Sequence, residues 1–327
     1  MKISPYVRAV QVPDENPLHP QSTNIYIIGK GESLSVDSGE AFEKFRWMLR
    51  GYLAAIERTE IAIAGITHHH IDHSGNLKDL HEVFGAEVAV PDNGVDLLQD
   101  RLPSGGFRVL RDGQSINLDG GIRIQILSTP GHSIDSICFY IEEDGVLFTG
   151  DTLLGVGTTT VNDLGDYRKS LERLVELPNL KMICPGHGPI VNDARERLQT
   201  YINHRNMREQ QIIEVLTGSD PLTSWDIMMK IYGDIDKRLR SAADGNVRAH
   251  LGQLEKEGRL EVYAGKKRKR TSVVISKERK KLRERRKIIR QAKGYELDEH
   301  REALALQESP PMKQWSRFPT YGLKQEE

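Results

Sequence analysis

The chain has 327 residues, 38% of them hydrophobic and 28% charged, with a formal net charge of −1. This length and composition indicate a folded protein with a sizeable core, organised as two domains or as one large domain with an appendage. No run approaches the roughly 18 consecutive apolar residues of a membrane span, and the N-terminus shows no apolar signal segment. We therefore expect a cytoplasmic protein without a membrane partner.

The near-neutral total hides an uneven charge distribution. Residues 266–327 hold 19 Lys and Arg against 9 Asp and Glu, which gives this tail a charge of +10 and the remainder −11. Its densest part is a run of five cations: Lys266, Lys267, Arg268, Lys269 and Arg270. Such a split is typical of a basic appendage with its own partner, or of a tail that docks onto an acidic body.

Alternating strands and helices are predicted for the first two hundred residues. Apolar runs rich in β-branched residues predict strands, and apolar positions three and four apart predict helices. In chain order the elements are a hairpin (24–28 and 33–36), a helix (40–57), a strand (61–66), a helix capped by Ser74 or Asn76 and ended by Gly85, strands near 87–90, 107–110, 122–128, 136–141 and 146–149, a helix capped by Asp163, and a strand over 180–184. Periodicity alone predicts a mixed α/β fold.

The rest of the chain is mostly helical. The predicted elements are a long helix (193–217), a helix capped by Thr223, a helical stretch (236–257) broken at Gly245, a hairpin (259–264 and 271–276) with the five cations at its tip, and a basic helix (277–293). Residues 247–254 would enter a groove if this part bound nucleic acid. Beyond Pro310 and Pro311 the composition favours disorder.

One stretch is dense in groups that bind metals. His68, His69, His70, Asp72 and His73 lie within six residues, directly after a predicted strand. Alternate side chains of an extended segment share a side, so His68 and His70 face one way and His69 another. A buried imidazole needs a polar partner, which makes a purely structural role for so many a poor explanation. Imidazole and carboxylate donors suit a first-row cation such as zinc, and the stretch has donors enough for two.

Three further candidate ligands each follow a predicted strand, in a turn that contains glycine. They are His132, Asp151 and His187. Glycine allows close backbone approach and positive φ, so donors at strand ends can converge on one cleft.

The order and spacing of these donors resemble the signature of the metallo-β-lactamase superfamily. Asp37, in Val36-Asp37-Ser38-Gly39, resembles the first motif of that family. The resemblance implies a four-layer αββα sandwich with two metals at one sheet edge. It implies His68, His70 and His132 as ligands of the first metal, Asp72, His73 and His187 as ligands of the second, and Asp151 as a bridge.

Residues 201–212 are similar to the connector of one subgroup, which includes the lactamase-like endoribonuclease of animal mitochondria. That subgroup carries a winged-helix-like domain after the connector. His204 and Arg205 of this segment would contribute to the site or to the domain junction, or else form an exposed helix face.

This second resemblance implies three regions. They are a catalytic domain over 1–205, a winged-helix-like domain over 206–276, and a basic helix with a disordered tail over 277–327. A homodimer is considered as the assembly.

The donor set predicts metal-assisted hydrolysis. Two cations about 3.5–4 Å apart can hold a shared hydroxide and polarise a carbonyl or phosphoryl oxygen. Asp72 would orient the hydroxide and take its proton. His69 is the nearest candidate proton donor for a leaving group, although the endoribonuclease subgroup usually has a large aromatic there, and a surface or supporting role is the alternative. Zinc is the expected metal, with iron or manganese as alternatives.

The expected substrate is single-stranded RNA, brought to the site by the basic C-terminal module, whose cations could neutralise phosphates. That run has no interleaved aromatic residues to stack on bases, and a solvated charged face is the alternative interpretation. An acyl thioester, as in glyoxalase II and polyketide-pathway relatives, is the alternative substrate. An iron-dependent persulfide-oxidising relative and a nucleic-acid-binding protein with a metal domain as scaffold are further alternatives.

Overall fold

The structure is a computed structural model that describes residues 1–14, 16–56, 60–98, 100–264 and 319–324. The chain divides into two compact units, Met1–Arg208 and Glu209–Glu327. This division lies three residues after the predicted end of the catalytic domain. In the described ranges, no helix is both long enough and apolar enough to cross a membrane.

The first unit contains eleven of the described strands and begins the long fifth helix. Its elements are β1 (Val7–Pro13), β2 (Ser22–Gly29), β3 (Glu32–Val36), α1 (Glu43–Ala55), β4 (Glu60–Gly65), α2 (Ile71–Ser74), α3 (Leu77–Phe84), β5 (Glu87–Pro91), β6 (Arg108–Leu110), β7 (Ser115–Leu118), β8 (Ile122–Ser128), β9 (Ile137–Ile141), β10 (Val146–Gly150), α4 (Leu164–Val175), β11 (Met182–Pro185) and α5 (Ala194–Leu216). A short 3₁₀ helix covers Asp92–Leu97.

Two sheets form the centre of this unit. The first has the strand order β1-β2-β3-β4-β5-β6, and the second has the order β11-β10-β9-β8-β7. The strands from β3 to β6 are mutually parallel, as are β10 and β11, and the other neighbouring strands are antiparallel. Since parallel strands end at the same edge of a sheet, the turns that follow β3 and β4 meet at one edge, and so do those after β10 and β11.

Apolar side chains fill the space between the sheets and beneath the helices. One buried cluster joins residues of both sheets, including Tyr26 and Leu34 from the first and Phe139 and Phe148 from the second. Another joins the opposite face of the first sheet to α1 and α3. Helix α4 buries Leu171 and Leu174. These layers form the four-layer αββα sandwich that the family resemblance implies.

The predicted elements of this unit are confirmed, but β1 and β7 are missed. Asp163 caps α4, since its side chain accepts a hydrogen bond from the backbone N–H of Asp166. Asn76 is the N-cap residue of α3, as predicted, but its side chain makes no capping hydrogen bond. Asn76 donates instead to the backbone oxygens of Ser38 and Glu40.

The second unit has a small apolar core. Besides the end of α5, its described elements are β12 (Leu222–Thr223), α6 (Ser224–Tyr232), a 3₁₀ turn (Lys237–Leu239), α7 (Arg240–Lys256), β13 (Leu260–Tyr263) and β14 (Thr320–Leu323). Thr223 and Asp226 form the capping box of α6, which confirms the predicted helix start. The break predicted at Gly245 is wrong, because α7 continues through it. Ala243 and Val247, on either side, are buried in the core, and this packing offsets the helix-propensity cost of glycine, about 1 kcal/mol.

The three strands of the second unit form one sheet in the order β12-β14-β13. The predicted strand 259–264 therefore exists, but its described partner is β14, and the predicted strand 271–276 lies outside the described residues. The expectation of disorder beyond Pro310 and Pro311 is wrong for residues 319–324. Tyr321 and Leu323 pack against the apolar core, and this burial stabilises the strand. The predicted basic helix 277–293 also lies outside the described residues.

Candidate metal centre

Three of the predicted metal ligands, His68, Asp151 and His187, follow the ends of parallel strands, and His132 follows β8, which has antiparallel neighbours. Asp37 follows β3, and Thr67 and His68 follow β4, which lies beside β3. Asp151 directly follows β10 and His187 comes two residues after β11. An isolated bridge between Thr23 and His187 and a hydrogen bond from Asn24 N–H to Gly186 O join the first sheet to the second at this edge.

The structure brings all seven predicted ligands into two adjoining clusters. The first consists of His68, His70, His132 and Asp151, and the second of Asp72, His73, Asp151 and His187. Within each cluster, one candidate ligand atom from every residue lies within 4.8 Å of the others. Asp151 belongs to both clusters, in agreement with the bridging position that the resemblance implies.

Three imidazole nitrogens meet in the first cluster. His70 Nδ1 lies 2.9 Å from His68 Nε2 and 3.1 Å from His132 Nε2. Asp151 Oδ2 lies 3.6 Å from His132 Nε2. All three histidines present a nitrogen to the same small volume.

Carboxylates and imidazoles alternate in the second cluster. His187 Nε2 lies 3.0 Å from Asp72 Oδ2 and 3.3 Å from His73 Nε2. Asp151 Oδ1 is 3.4 Å from both His73 Nε2 and His187 Nε2.

The outward nitrogens of His68 and His73 are held by one carboxylate network. His73 Nδ1 lies 2.8 Å from Asp37 Oδ2. The Thr67 hydroxyl donates to Asp37, so it accepts from His68 Nδ1, which lies 3.1 Å away. Both rings therefore carry a proton on Nδ1, and Nε2 is the nitrogen that faces the clusters.

His132 and His187 are oriented in the same way. His132 Nδ1 donates to the backbone oxygen of Thr160 at 2.8 Å. His187 Nδ1 lies 3.1 Å from the hydroxyl of Thr23, which itself donates to Asp14 Oδ2. Each imidazole is thus left with a lone pair on Nε2 that faces the cluster.

Divalent cations fit these two clusters. Converging imidazole lone pairs repel one another, and a single proton cannot satisfy three nitrogens, whereas a cation can. Asp151 Oδ1 is buried and accepts no hydrogen bond from the described residues. An ionised oxygen that is desolvated and unsatisfied needs a positive charge nearby, and two adjoining cations would supply it.

The protonation states of the first cluster suit metal binding. Burial and the neighbouring His73 and His132 hold the pKa of His68 well below its usual value. Burial, followed by the charge of His132, lowers the pKa of His70 to about 4. Burial also lowers the pKa of His132. These imidazoles are therefore neutral near pH 7, as ligands must be.

The second cluster differs electrostatically. Burial lowers the pKa of His73, but Asp37 and Asp72 more than offset this, so its pKa lies well above the usual value. Burial raises the pKa of Asp72, yet His73 and His187 hold it well below the usual range. A cation at this position would therefore compete with a proton on His73.

Two glycines let the strand ends approach the clusters. Gly150 has φ +47°, and a Cβ there would overlap the side chain of Thr67. A Cβ on Gly186 would come within 2.5 Å of His73 Cε1. Side chains at these two positions would displace the residues that hold the first and second clusters.

His69, predicted as a proton donor, stands beside the clusters and outside them. Its Nδ1 lies 2.8 Å from Asp135 Oδ1, and its side chain is 25% exposed whereas that of Asp135 is fully buried. Ser133 also donates to the same carboxylate. Asp135 escaped the sequence analysis, because neither its residue type nor its spacing distinguishes it from a surface aspartate.

A further histidine beside the second cluster also escaped the sequence analysis. His19 Nε2 lies 3.2 Å from Asp72 Oδ2. Burial lowers the pKa of His19, but the hydrogen bond to Asp14 and the charge of Asp72 raise it above its usual value overall. His19 follows no strand directly and has no neighbouring ligand in sequence, so only the fold reveals its position.

Arg205 of the connector segment belongs to the interior of the first unit. Its side chain is 1% exposed and donates to the backbone oxygen of Thr159. The hydroxyl of Thr159 lies 3.1 Å from His132 Nδ1. This position rules out an exposed helix face for Arg205 and places it behind a histidine of the first cluster. The predicted nucleic-acid contacts Lys266 to Arg270 lie outside the described residues.

The fold and the donor arrangement define a class of protein, and sequence comparison agrees. Residues 19–187 match the metallo-beta-lactamase superfamily, and the chain belongs to it. Residues 223–267 match the beta-lactamase associated winged helix domain.

The chain is also similar to individual members of this superfamily. The chain is 33% identical over 270 residues to the beta-lactamase-like protein 2 homolog of Caenorhabditis elegans, which covers 80% of this chain and 88% of that protein. It is 35% identical over 213 residues to an atrochrysone carboxyl ACP thioesterase of Aspergillus fumigatus, with 64% and 65% coverage. Among solved structures, a metallo-beta-lactamase family protein from Thermus thermophilus matches with a TM-score of 0.67 and 26% identity, over 80% of this chain and 97% of that one.

Proposed function

We propose that the protein is a binuclear metal-dependent hydrolase. The observation that carries this proposal is the pair of adjoining donor clusters that share Asp151. The chain belongs to the metallo-beta-lactamase superfamily, and one relative is named as a thioesterase. The seven ligands of the proposal are His68, His70, Asp72, His73, His132, Asp151 and His187.

Zinc is the metal that we propose. Its tetrahedral preference suits sets of three or four imidazole and carboxylate donors, and iron or manganese would use the same donors. Metal analysis of protein purified without added cations, by inductively coupled plasma mass spectrometry, identifies the ion. Two equivalents of iron or manganese would replace zinc in the proposal.

Divalent cations at these positions supply Lewis acidity and lower the pKa of water toward neutrality. The chain supplies the remaining chemistry. Asp72 accepts the proton of the attacking water, and His187 and His73 hold its Oδ2 in place. His69 donates a proton to a poor leaving group from Nε2, while Asp135 holds Nδ1 and fixes the direction of the ring.

An acyl thioester is the substrate class that we favour. A thiolate leaves without a general acid, and the thioesterase named above aligns with the catalytic part of this chain. Exposed apolar side chains stand beside site residues in the sequence: Leu18 next to His19, Ile71 next to Asp72, Ile134 next to Asp135, and Val156 in the loop after Asp151. Such side chains suit contact with an apolar acyl group.

Single-stranded RNA is the second candidate, and the winged-helix match together with the cationic run supports it. Winged-helix-like modules use a helix and a cationic wing against nucleic acid. Here α7 turns Val247, Leu251 and Leu254 into the core, so only its opposite face, which includes the 59%-exposed Arg248, could meet a ligand.

A substrate panel separates the two candidates. The full-length, metal-analysed protein is incubated in parallel with apolar acyl thioesters and with single-stranded RNA. A matched variant replaces Lys266 to Arg270 with glutamine and leaves the catalytic unit unchanged. Thioester turnover that is identical in both proteins supports the first candidate. RNA cleavage that the variant loses, with a flatter salt dependence of binding, supports the second, and absence of both reactions would contradict hydrolysis of either class.

A cytoplasmic location completes the proposal. Cys138 and Cys184 are buried and unpaired, as is usual in a reducing compartment. Cell fractionation followed by immunodetection tests this, and recovery of the protein outside the soluble cytoplasmic fraction would contradict it.

A further inference from the structure

The loop between β1 and β2 carries a histidine that belongs to neither donor cluster. His19 packs its ring flat against His187, with centroids 4.2 Å apart and planes 5° from parallel. Its side chain is only 15% exposed. A lone loop histidine is usually solvated, so this degree of burial against a proposed ligand needs an explanation.

Both nitrogens of this ring meet carboxylates. Nδ1 lies 2.8 Å from Asp14 Oδ2, and Nε2 lies 3.2 Å from Asp72 Oδ2. The same oxygen of Asp72 lies 3.0 Å from His187 Nε2. His19 is therefore in contact with two of the second-cluster residues at once, through its face and through its edge.

The contacts among Asp14, His19, Thr23 and His187 form a closed network. Asp14 Oδ2, which holds His19, also accepts the hydroxyl of Thr23, and that hydroxyl lies 3.1 Å from His187 Nδ1. Asp14 thus fixes His187 from the back through Thr23 and from the side through His19. None of these contacts reaches His68, His70 or His132.

We propose that His19 is a positioning residue for the second metal position, where it fixes Asp72 and His187 and leaves the first position unaffected. It acts through these two residues, since its Nε2 is not among the nitrogens that converge on either cluster. Groups that orient metal ligands typically change metal affinity by roughly 10–100-fold when removed. The effect should fall on the second cation alone, because the contacts of His19 are confined to that cluster.

Cobalt titration of the apo-protein tests this inference, which rests on the proposed binuclear centre. Full-length protein is stripped of metal, and Co²⁺ binding is followed by visible absorption and calorimetry, which separate the first equivalent from the second. For His19→Ala we expect roughly 10–100-fold weaker binding of the second equivalent, with the first unchanged. Catalytic turnover is not needed for this measurement.

Two further variants separate the edge contact from the stacking. His19→Phe keeps a flat ring for His187 but has no nitrogen for Asp72, and His19→Gln offers an amide N–H to Asp72 but has no ring. Each should recover part of the affinity that His19→Ala loses. His81→Ala is the matched control, since His81 lies on α3 and bonds to the backbone oxygen of Ala86. It should bind both equivalents as the unmodified protein does.

Every result of the cobalt titrations supports or overturns the positioning role of His19. Wild-type affinity for the second equivalent in His19→Ala would overturn the inference, and so would equal weakening of both equivalents. Failure of both His19→Phe and His19→Gln to recover any affinity would overturn the positioning role through Asp72 and His187. An unmodified protein that takes up fewer than two cations would instead contradict the proposed function, and this inference with it.

Discussion

The two donor clusters share Asp151 and lie at one sheet edge, yet they are built differently. The first gathers imidazoles that burial keeps neutral, with Thr67 and the backbone oxygen of Thr160 behind them. The second surrounds its imidazoles with carboxyl groups, with Asp37 and Asp14 behind and Asp72 inside. The first is thus ready for a cation at neutral pH, whereas the second must exchange a proton for one. We therefore expect the two ligand sets to differ in their affinity for a cation, because different groups bond to the outward nitrogens of their histidines.

The largest effect, on turnover, is expected from removing a proposed metal ligand of the first cluster. His70→Ala removes the nitrogen on which His68 and His132 converge. The lost Lewis acid contributes several kcal/mol, so turnover should fall by roughly 1,000-fold with one equivalent of metal lost. Steady-state kinetics and metal analysis check this, with His81→Ala as control. Full metal content and turnover would exclude His70 as a ligand.

A smaller effect, on cation affinity, is expected from replacing Asp37, because its carboxylate contacts one cluster directly and the other only through Thr67. Asp37 binds His73 directly but reaches His68 only through Thr67. In Asp37→Asn an amide N–H replaces one of these acceptors, so the affinity for the second cation should fall by about 10–100-fold and that for the first by less. Cobalt titration measures both equivalents. Equal losses would show that the two clusters depend on Asp37 alike.

The smallest effect, about tenfold for each pH unit, is a difference in the pH dependence of cation binding. The pKa of His73 is raised and that of His70 is lowered to about 4, so on acidification a proton reaches His73 first. The second cation should therefore leave at a higher pH than the first, with its affinity falling about tenfold per unit below the pKa of His73. Equilibrium dialysis from pH 8 to pH 4 measures this order. Simultaneous release would remove the electrostatic distinction.

The sequence predicts the ligands of both clusters but not their supports. Strand, glycine turn and donor recur along the chain, and that local pattern suffices to find His132, Asp151 and His187. The supports Thr23, Asp135 and His19 have ordinary residue types in ordinary surroundings. Their role depends on contacts across more than fifty residues of chain, which periodicity does not encode.

The fold, like the site, is predicted from local patterns but not where it depends on residues distant in the chain. Helices and strands with clear spacing, such as α1 and β8, are predicted because one face of each is apolar. Strand β14 pairs with a partner almost sixty residues earlier in the chain, and no turn signal marks the pairing. At Gly245 the sequence predicts a helix break that does not exist, because the packing of the neighbouring residues overrides the low helix propensity of glycine.

The position of β14 bears on how the basic run can be studied. It is the central strand of the three-stranded sheet, flanked by β12 on one side and β13 on the other. A stop codon at Gly265 would delete the charged segment and also leave the edges of β12 and β13 without their shared neighbour, exposing Leu260 and the apolar surface beneath it. A shortened protein that aggregates would thus reveal nothing about phosphate binding, and charge-neutralising replacements within the intact polypeptide avoid that confusion.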